Sequence, residues 1–94
     1  MTALYVLREE QVPIEELRPG DRIVLPSGQR VTFDRLDEYD DGYVVRWWRR
    51  AEHGEPGHRG GKRHTEAIGD EWDGKYLSSL RLMRLGETMK VDRG

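Results

Sequence analysis

The sequence contains no cysteine, and this absence excludes disulfide bonds and thiolate metal sites. It also lacks any apolar run near the roughly 20 residues that a membrane-spanning helix needs. The first residues have neither the basic start nor the long apolar region of a signal peptide. From these absences we expect a cytoplasmic protein that does not associate with membranes.

Internal repeats, low-complexity segments and a second domain are also missing. Charged residues make up 36% of the 94-residue chain and hydrophobic residues 35%, so a small core must support a heavily solvated surface. Aromatic residues spread along the chain favour folding over disorder. We expect one small β domain over residues 1–94, with a mobile loop at 51–64. The tail at 86–94 either frays or adds an edge strand at 89–91.

Residues 43–50 form the most β-prone stretch, because five of the eight are aromatic or β-branched. Side chains alternate between the two faces of a strand. One set of alternate residues is apolar and is predicted to face the core: Tyr43, Val45 and Trp47. The other set places Trp48 between two arginines, Arg46 and Arg50. The first set predicts the fold, and the second is the best indication of function.

The rest of the chain predicts further short strands. These lie at 22–25 and at 30–39, where a bulge near Asp34-Arg35 brings Leu36 back into phase. Residues 4–7 form either a short first strand or an arm that packs on the barrel. A short helical turn is expected within 12–17. Residues 75–85 show both helical and strand spacing, and we favour a strand over 80–85; Trp72 is expected to dock on the core. The predicted core consists of Ile14, Leu17, Ile23, Leu25, Val31, Phe33, Tyr43, Val45, Trp47, Leu80 and Leu82.

A turn leads into a strand at Leu17-Arg18-Pro19-Gly20-Asp21-Arg22-Ile23. After it come a glycine hairpin at Ser27-Gly28, a long bent strand and an aromatic strand. Over residues 12–50 this order resembles small SH3-like barrels. The resemblance implies a partly open, mostly β barrel of about five strands, with a long glycine-rich loop and at most one or two short helical turns. SH3-like barrels include nucleic-acid binders, peptide binders, chromatin readers and phage proteins, so function does not follow from the fold. In composition the chain resembles small proteins of actinobacterial phages.

The net charge of −2 hides strong segregation along the chain. Residues 34–41 carry a net charge of −4, residues 46–64 carry +4, and residues 65–74 return to −4. In one interpretation, neighbouring blocks of opposite sign neutralise one another across the folded surface. In the other, the basic block is reserved for an anionic partner.

Two features of the basic block fit an anionic partner. An exposed Trp48 flanked by guanidinium groups can stack a base while the arginines meet phosphate; alternatively, Trp48 packs into a second small core. The glycine loop at 58–64 lets backbone N–H groups approach an anion, although Pro56 and Arg63 break the phosphate-binding loop pattern. The predicted partner-binding residues are Arg46, Trp48, Arg50, His58, Arg59, Lys62, Arg63 and His64.

No catalytic or metal-binding pattern emerges from the remaining residues. His53, His58 and His64 match no zinc-ligand spacing, and no catalytic triad or cofactor fingerprint is present. We therefore expect a protein without cofactor or metal that is not an enzyme. The leading hypothesis is a non-catalytic binding module for nucleic acid or another anionic partner. The alternative is a protein–protein interaction module, such as a phage accessory protein, and the near-neutral total charge favours this alternative.

Overall fold

The computed structural model describes residues 9–59 and 74–93. This part of the chain is mostly β, as predicted, and no α-helix occurs within it. A single 3-10 turn, Ile14–Glu16, lies inside the predicted helical segment, whereas Val12 belongs to the strand before it. The strands are β1 (Glu9–Pro13), β2 (Arg22–Val24), β3 (Arg30–Tyr39), β4 (Gly42–Arg50), β5 (His58–Arg59), β6 (Lys75–Met83) and β7 (Thr88–Asp92).

The strands form one open sheet in the order β1-β7-β2-β3-β4-β6-β5, and every pairing is antiparallel. Within the described residues the sheet has seven strands rather than about five, because local patterns in the sequence predicted neither β1 nor β5. An open antiparallel sheet of this size is consistent with a small open barrel. The more specific resemblance to SH3-like barrels stays a prediction.

The longest hairpin joins β3 to β4 and contains the predicted irregularity. The register shifts between Phe33 and Arg35, which confirms the bulge. The shift turns Leu36 toward the core, opposite Val45. At the end of the hairpin, Asp40 adopts a φ of 50°, a left-handed conformation that aspartate tolerates in tight turns.

The core lies against one face of the sheet, which we call the inner face. Buried side chains from the 3-10 turn and from six strands form a single cluster: Val12, Ile14, Leu17, Ile23, Val31, Phe33, Val45, Trp47, Met83, Met89 and Val91. Leu25, Leu36 and Tyr43 pack against this cluster and are partly buried. The assignment of Tyr43, Val45 and Trp47 to the core side of β4 is therefore confirmed.

Leu80 and Leu82 were predicted to be core residues, and this prediction is wrong. They are 50% and 58% exposed. The register pairs Leu80 with Arg46 and Leu82 with Val44, so both leucines lie on the face opposite the core. Met83, which pairs with Tyr43, occupies the core position instead.

The C-terminal segment also differs from its prediction. Thr88–Asp92 forms β7, which pairs with β1 on one side and with β2 on the other. It is neither frayed nor an edge strand, and Val91 and Met89 are core residues. The predicted strand or arm at 4–7 and the predicted docking of Trp72 lie outside the described residues.

Candidate binding surface

The face of the sheet opposite the core, which we call the outer face, carries most of the described residues predicted to bind a partner. Directly opposed residues of an antiparallel pair lie on the same face. The register therefore places alternate residues of β4 and β6 together on the outer face: Val44, Arg46, Trp48 and Arg50 with Leu82, Leu80, Ser78 and Tyr76.

Trp48 is on the predicted face and is buried, which agrees with the alternative that it packs into a second small core and not with an exposed Trp48. It is only 2% exposed. Its cross-strand neighbours, Thr32 and Ser78, are small. Tyr76 meets it edge to face, with ring centroids 6.4 Å apart. Trp48 therefore belongs to a second, smaller apolar cluster, and its buried ring is not a platform on which a base can stack.

Arg46 is held by a carboxylate of the acidic block. Asp37 Oδ2 accepts a hydrogen bond of 2.8 Å from Arg46 Nε and another of 2.9 Å from Arg35 Nε. These hydrogen bonds, of which the one from Arg46 has the largest effect, hold the pKa of Asp37 below its usual range. The acidic and basic blocks thus meet across β3 and β4 and partly neutralise each other, as the first interpretation of the charge pattern predicts.

A second ion pair holds the start of the glycine-rich loop. Arg49 Nη1 and Nη2 donate to the two carboxylate oxygens of Glu55, each at 2.9 Å, a bidentate geometry that strengthens the pair. The Glu52 N–H also donates to Glu55 Oε1 at 2.7 Å. The Arg49 guanidinium and this N–H lower the pKa of Glu55 to about 2.

The loop then approaches β6 closely enough to form β5. At Gly57 a Cβ atom would lie 2.7 Å from the Tyr76 carbonyl oxygen, so only glycine fits there without a shift of the backbone. His58 pairs with Tyr76 and Arg59 with Lys75. The described part of the predicted loop therefore ends in a short strand.

The short strand brings several predicted binding residues together. Arg50 pairs with Tyr76, whose ring lies 5.6 Å from that of His58, and Arg59 follows on the same strand. Arg50, His58, Arg59 and Lys75 are all exposed, and the two arginines and the lysine make this end of the sheet cationic. Lys62, Arg63 and His64 lie outside the described residues.

The sequence analysis missed an exposed apolar patch on the outer face. Leu80 and Leu82 project from β6 beside buried Val44. Leu82 also borders an open groove of about 320 Å³, lined by Tyr39, Asp40, Asp41, Gly42, Leu82, Met83, Arg84 and Glu87. Tyr39, at its rim, is 56% exposed. The spacing of the leucines in the sequence indicated a strand at β6, but it did not indicate which face of that strand lies against the core.

Further properties restrict the chemistry of this surface. Within residues 9–59 and 74–93, no group of three or more histidine or carboxylate side chains could hold a metal ion. No helix in the same ranges is long and apolar enough to cross a bilayer. No protein-family model, curated protein sequence or solved structure matches the chain.

Proposed function

We propose that this protein is a non-catalytic module that binds another protein through the outer face of β6. The observation that carries the proposal is the exposure of Leu80 and Leu82 on consecutive outward positions of one strand. Isolated apolar side chains are ordinary on protein surfaces, but adjacent ones rimmed by polar groups are typical of interaction sites.

The geometry supports a protein partner more than nucleic acid. Trp48 is buried and contacts Tyr76 edge to face, so it does not offer an exposed ring to a base, and Arg46 already donates to Asp37. The groove beside Leu82 is bordered by Asp40, Asp41 and Glu87, which repel phosphate. Apolar side chains beside a groove favour an anchor residue from a protein partner.

The perturbed titratable groups also fit a binding module. The pKa values of Asp37, Arg49 and Glu55 are shifted mainly by hydrogen bonds within ion pairs. Structural ion pairs account for such shifts without a catalytic role. A cytoplasmic location, which suits a chain without cysteine, and a role as a phage accessory or host-directed protein are further parts of this proposal.

A second candidate function is nucleic-acid binding at the cationic end of the sheet. The observation that favours it is that exposed Arg50, Arg59 and Lys75 all lie at the end of the sheet where β5 pairs with β6, Arg50 on one face and the other two on the opposite face. Such a cluster contacts phosphates without reading sequence. The two candidates use different residues, so variants separate them.

The test compares two double variants. Leu80→Ser with Leu82→Ser removes the apolar patch, and Arg50→Ala with Arg59→Ala removes two cations. Peptides selected from a displayed random library, and single- and double-stranded oligonucleotides at about 50 mM salt, are titrated against each variant. We expect selected peptides to lose at least about tenfold in affinity, or 1.4 kcal/mol, on the leucine variant only.

The opposite pattern would reject the protein-binding proposal. In that case oligonucleotides bind with strong salt dependence, the arginine variant loses this binding, and no selected peptide distinguishes the leucine variant from the native protein. Urea melts of both variants provide the folding control.

A further inference from the structure

The backbone of β6 presents its unshared hydrogen-bonding groups at known positions. The Ala51 N–H donates to the Lys75 carbonyl at 2.8 Å, so Lys75 directs its backbone groups toward β4. These groups alternate in direction along an antiparallel strand, and the β4–β6 register runs without a shift. Odd-numbered residues from 75 to 83 therefore bond to β4, and even-numbered residues direct their N–H and C=O groups outward.

The close approach at Gly57 supports this alternation independently. The Tyr76 carbonyl oxygen points toward the segment that leads into β5. This segment lies along the edge of β6 that faces away from β4. Within the described ranges, β5 covers β6 only at Lys75 and Tyr76. Ser78, Leu80 and Leu82 thus combine outward backbone groups with exposed side chains.

β1, at one border of the sheet, and β6, next to the two-residue β5 at the other border, differ in how they resist pairing with other chains. Edge strands are commonly protected by charged side chains and proline. β1 carries Glu9, Glu10 and Pro13. β6 has neither proline nor an acidic residue, and its register contains no bulge. Over residues 77–83, β6 therefore carries only one of these protecting features, the charged side chain of Arg81.

The charge of β6 indicates what kind of strand fits beside it. Its ionisable charges are cationic, Lys75 and Arg81, and Arg84 follows directly. Arg81 lies on the inner face, opposite Val45, whereas Leu80 and Leu82 lie on the outer face. A complementary strand alternates acidic residues toward Arg81 with apolar residues toward the leucines.

We propose that β6 binds an extended acidic–apolar segment of another protein, which adds to the sheet as a strand along residues 77–83. Main-chain hydrogen bonds to Ser78, Leu80 and Leu82 hold the segment, and the alternating side chains provide specificity. This inference rests on the proposed protein-binding function and specifies the mode of binding and the partner chemistry.

The probe is a fluorescein-labelled peptide of alternating leucine and glutamate, about eight residues long to match a strand. A leucine–lysine peptide of the same length is the charge control. Amide hydrogen exchange of the native protein is measured with and without the probe. We expect the even-numbered amides from 78 to 82 to exchange fast in the free protein and to become protected by the probe. Odd-numbered amides from 77 to 81 should be protected in both states.

Two neighbouring serines, both exposed, provide matched variants. Ser78→Pro removes an outward N–H, which an edge position tolerates, and should weaken binding of the probe at least about tenfold. Ser78→Ala controls for the side chain and should bind normally. Ser79→Pro removes an inward N–H and should lower stability instead. Should Ser78→Pro fail to fold, Arg81→Glu tests the same pairing by reversing the preference between the two peptides.

The outcomes separate the binding mode from the proposed function. Normal binding to Ser78→Pro, with loss on the Leu80→Ser and Leu82→Ser variant, would reject strand addition and retain protein binding. Normal binding to the leucine variant would instead reject the apolar patch as the site. Protection of amides 78–82 at high protein concentration without probe, with a dimer in sedimentation, would overturn the proposal in favour of a second copy. Selective binding of an oligonucleotide along residues 77–83 would also overturn the proposal.

Discussion

The inner and outer faces of the sheet receive alternate residues of the same strands, but they bury them differently. On the inner face, side chains from the 3-10 turn and from six strands cover Trp47 and Val45. On the outer face, Trp48 packs against Tyr76 while Leu80 and Leu82 remain exposed on the same strand as Tyr76. Alternation along a strand therefore determines which face a residue is on, and the opposing elements determine whether that face is covered.

The two faces also differ in where charged side chains lie. The described buried side chains include none that is polar or charged. On the outer face, Arg46 and Arg35 share Asp37. A partly solvated face tolerates charges that a small core could not bury without a large desolvation cost. The outer face of the sheet therefore combines an exposed apolar patch with ion pairs.

The largest expected effect on stability comes from truncating the two adjacent tryptophans, one on each face of the sheet. Trp47→Ala and Trp48→Ala should each destabilise the protein by about 3–5 kcal/mol, as expected for truncating a buried large aromatic residue. Urea melts of both variants measure the effect. If Trp48→Ala proves nearly harmless, the outer cluster does not contribute to stability.

Met83 and Leu82 allow the inner and outer faces to be compared within one strand, because they are neighbours on β6 with opposite orientations. Met83→Ala should cost about 2–5 kcal/mol because it opens a cavity in the core. Leu82→Ala should change stability by no more than about 0.5 kcal/mol because it truncates an exposed side chain. Equal losses in thermal or urea melts would show that the outer leucines are covered in solution.

The Arg49–Glu55 pair predicts an effect of pH on the loop. The pKa of Glu55 is lowered to about 2 from an ordinary value of 4.5. Its contribution to stability is therefore fully present above about 4.5 and is lost as pH falls toward 2. The NMR shift of the Glu52 amide, which donates to Glu55, should report this titration. Arg49→Met should raise the pKa of Glu55 toward its ordinary value, whereas Arg50→Met should leave it unchanged.

The smallest expected effect concerns Asp37 on the outer face. Arg46→Met and Arg35→Met should each raise the pKa of Asp37, and the Arg46 change should be the larger because its hydrogen bond is the main cause of the lowering. Carboxyl NMR titration measures both shifts. A larger effect from Arg35→Met would place Arg46 outside the pair and leave it available to an anionic partner.

Local patterns in the sequence predicted much of the fold. The bulge followed from Leu36 falling out of phase, and the core face of β4 followed from the alternation of Tyr43, Val45 and Trp47. The C-terminal strand was harder to predict, because β7 derives its central position from pairing with β1 and β2, which are far away in the sequence. Only β5, from the described part of the glycine-rich loop, had no apolar pattern at all to indicate a strand.

The candidate surface was predictable only in part. Arg46, Arg50 and His58 lie on the outer face, whereas Arg59 pairs with Lys75 on the opposite face. The binding of Arg46 to Asp37, however, depends on which acidic residue the β3–β4 register places beside it. The leucine patch was assigned to the core because both faces of a strand are equally consistent with two leucines at alternate positions.

The sequence by itself determined that the chain is a mostly β protein without disulfides, because strand propensity and alternation are properties of neighbouring residues. It also determined that Trp47 and Trp48 lie on opposite faces. Only the tertiary structure decided that Trp48 is buried and that Leu80 and Leu82 are exposed. Burial depends on the register of β4 with β6 and on what packs above each face, and these contacts join residues far apart in the chain.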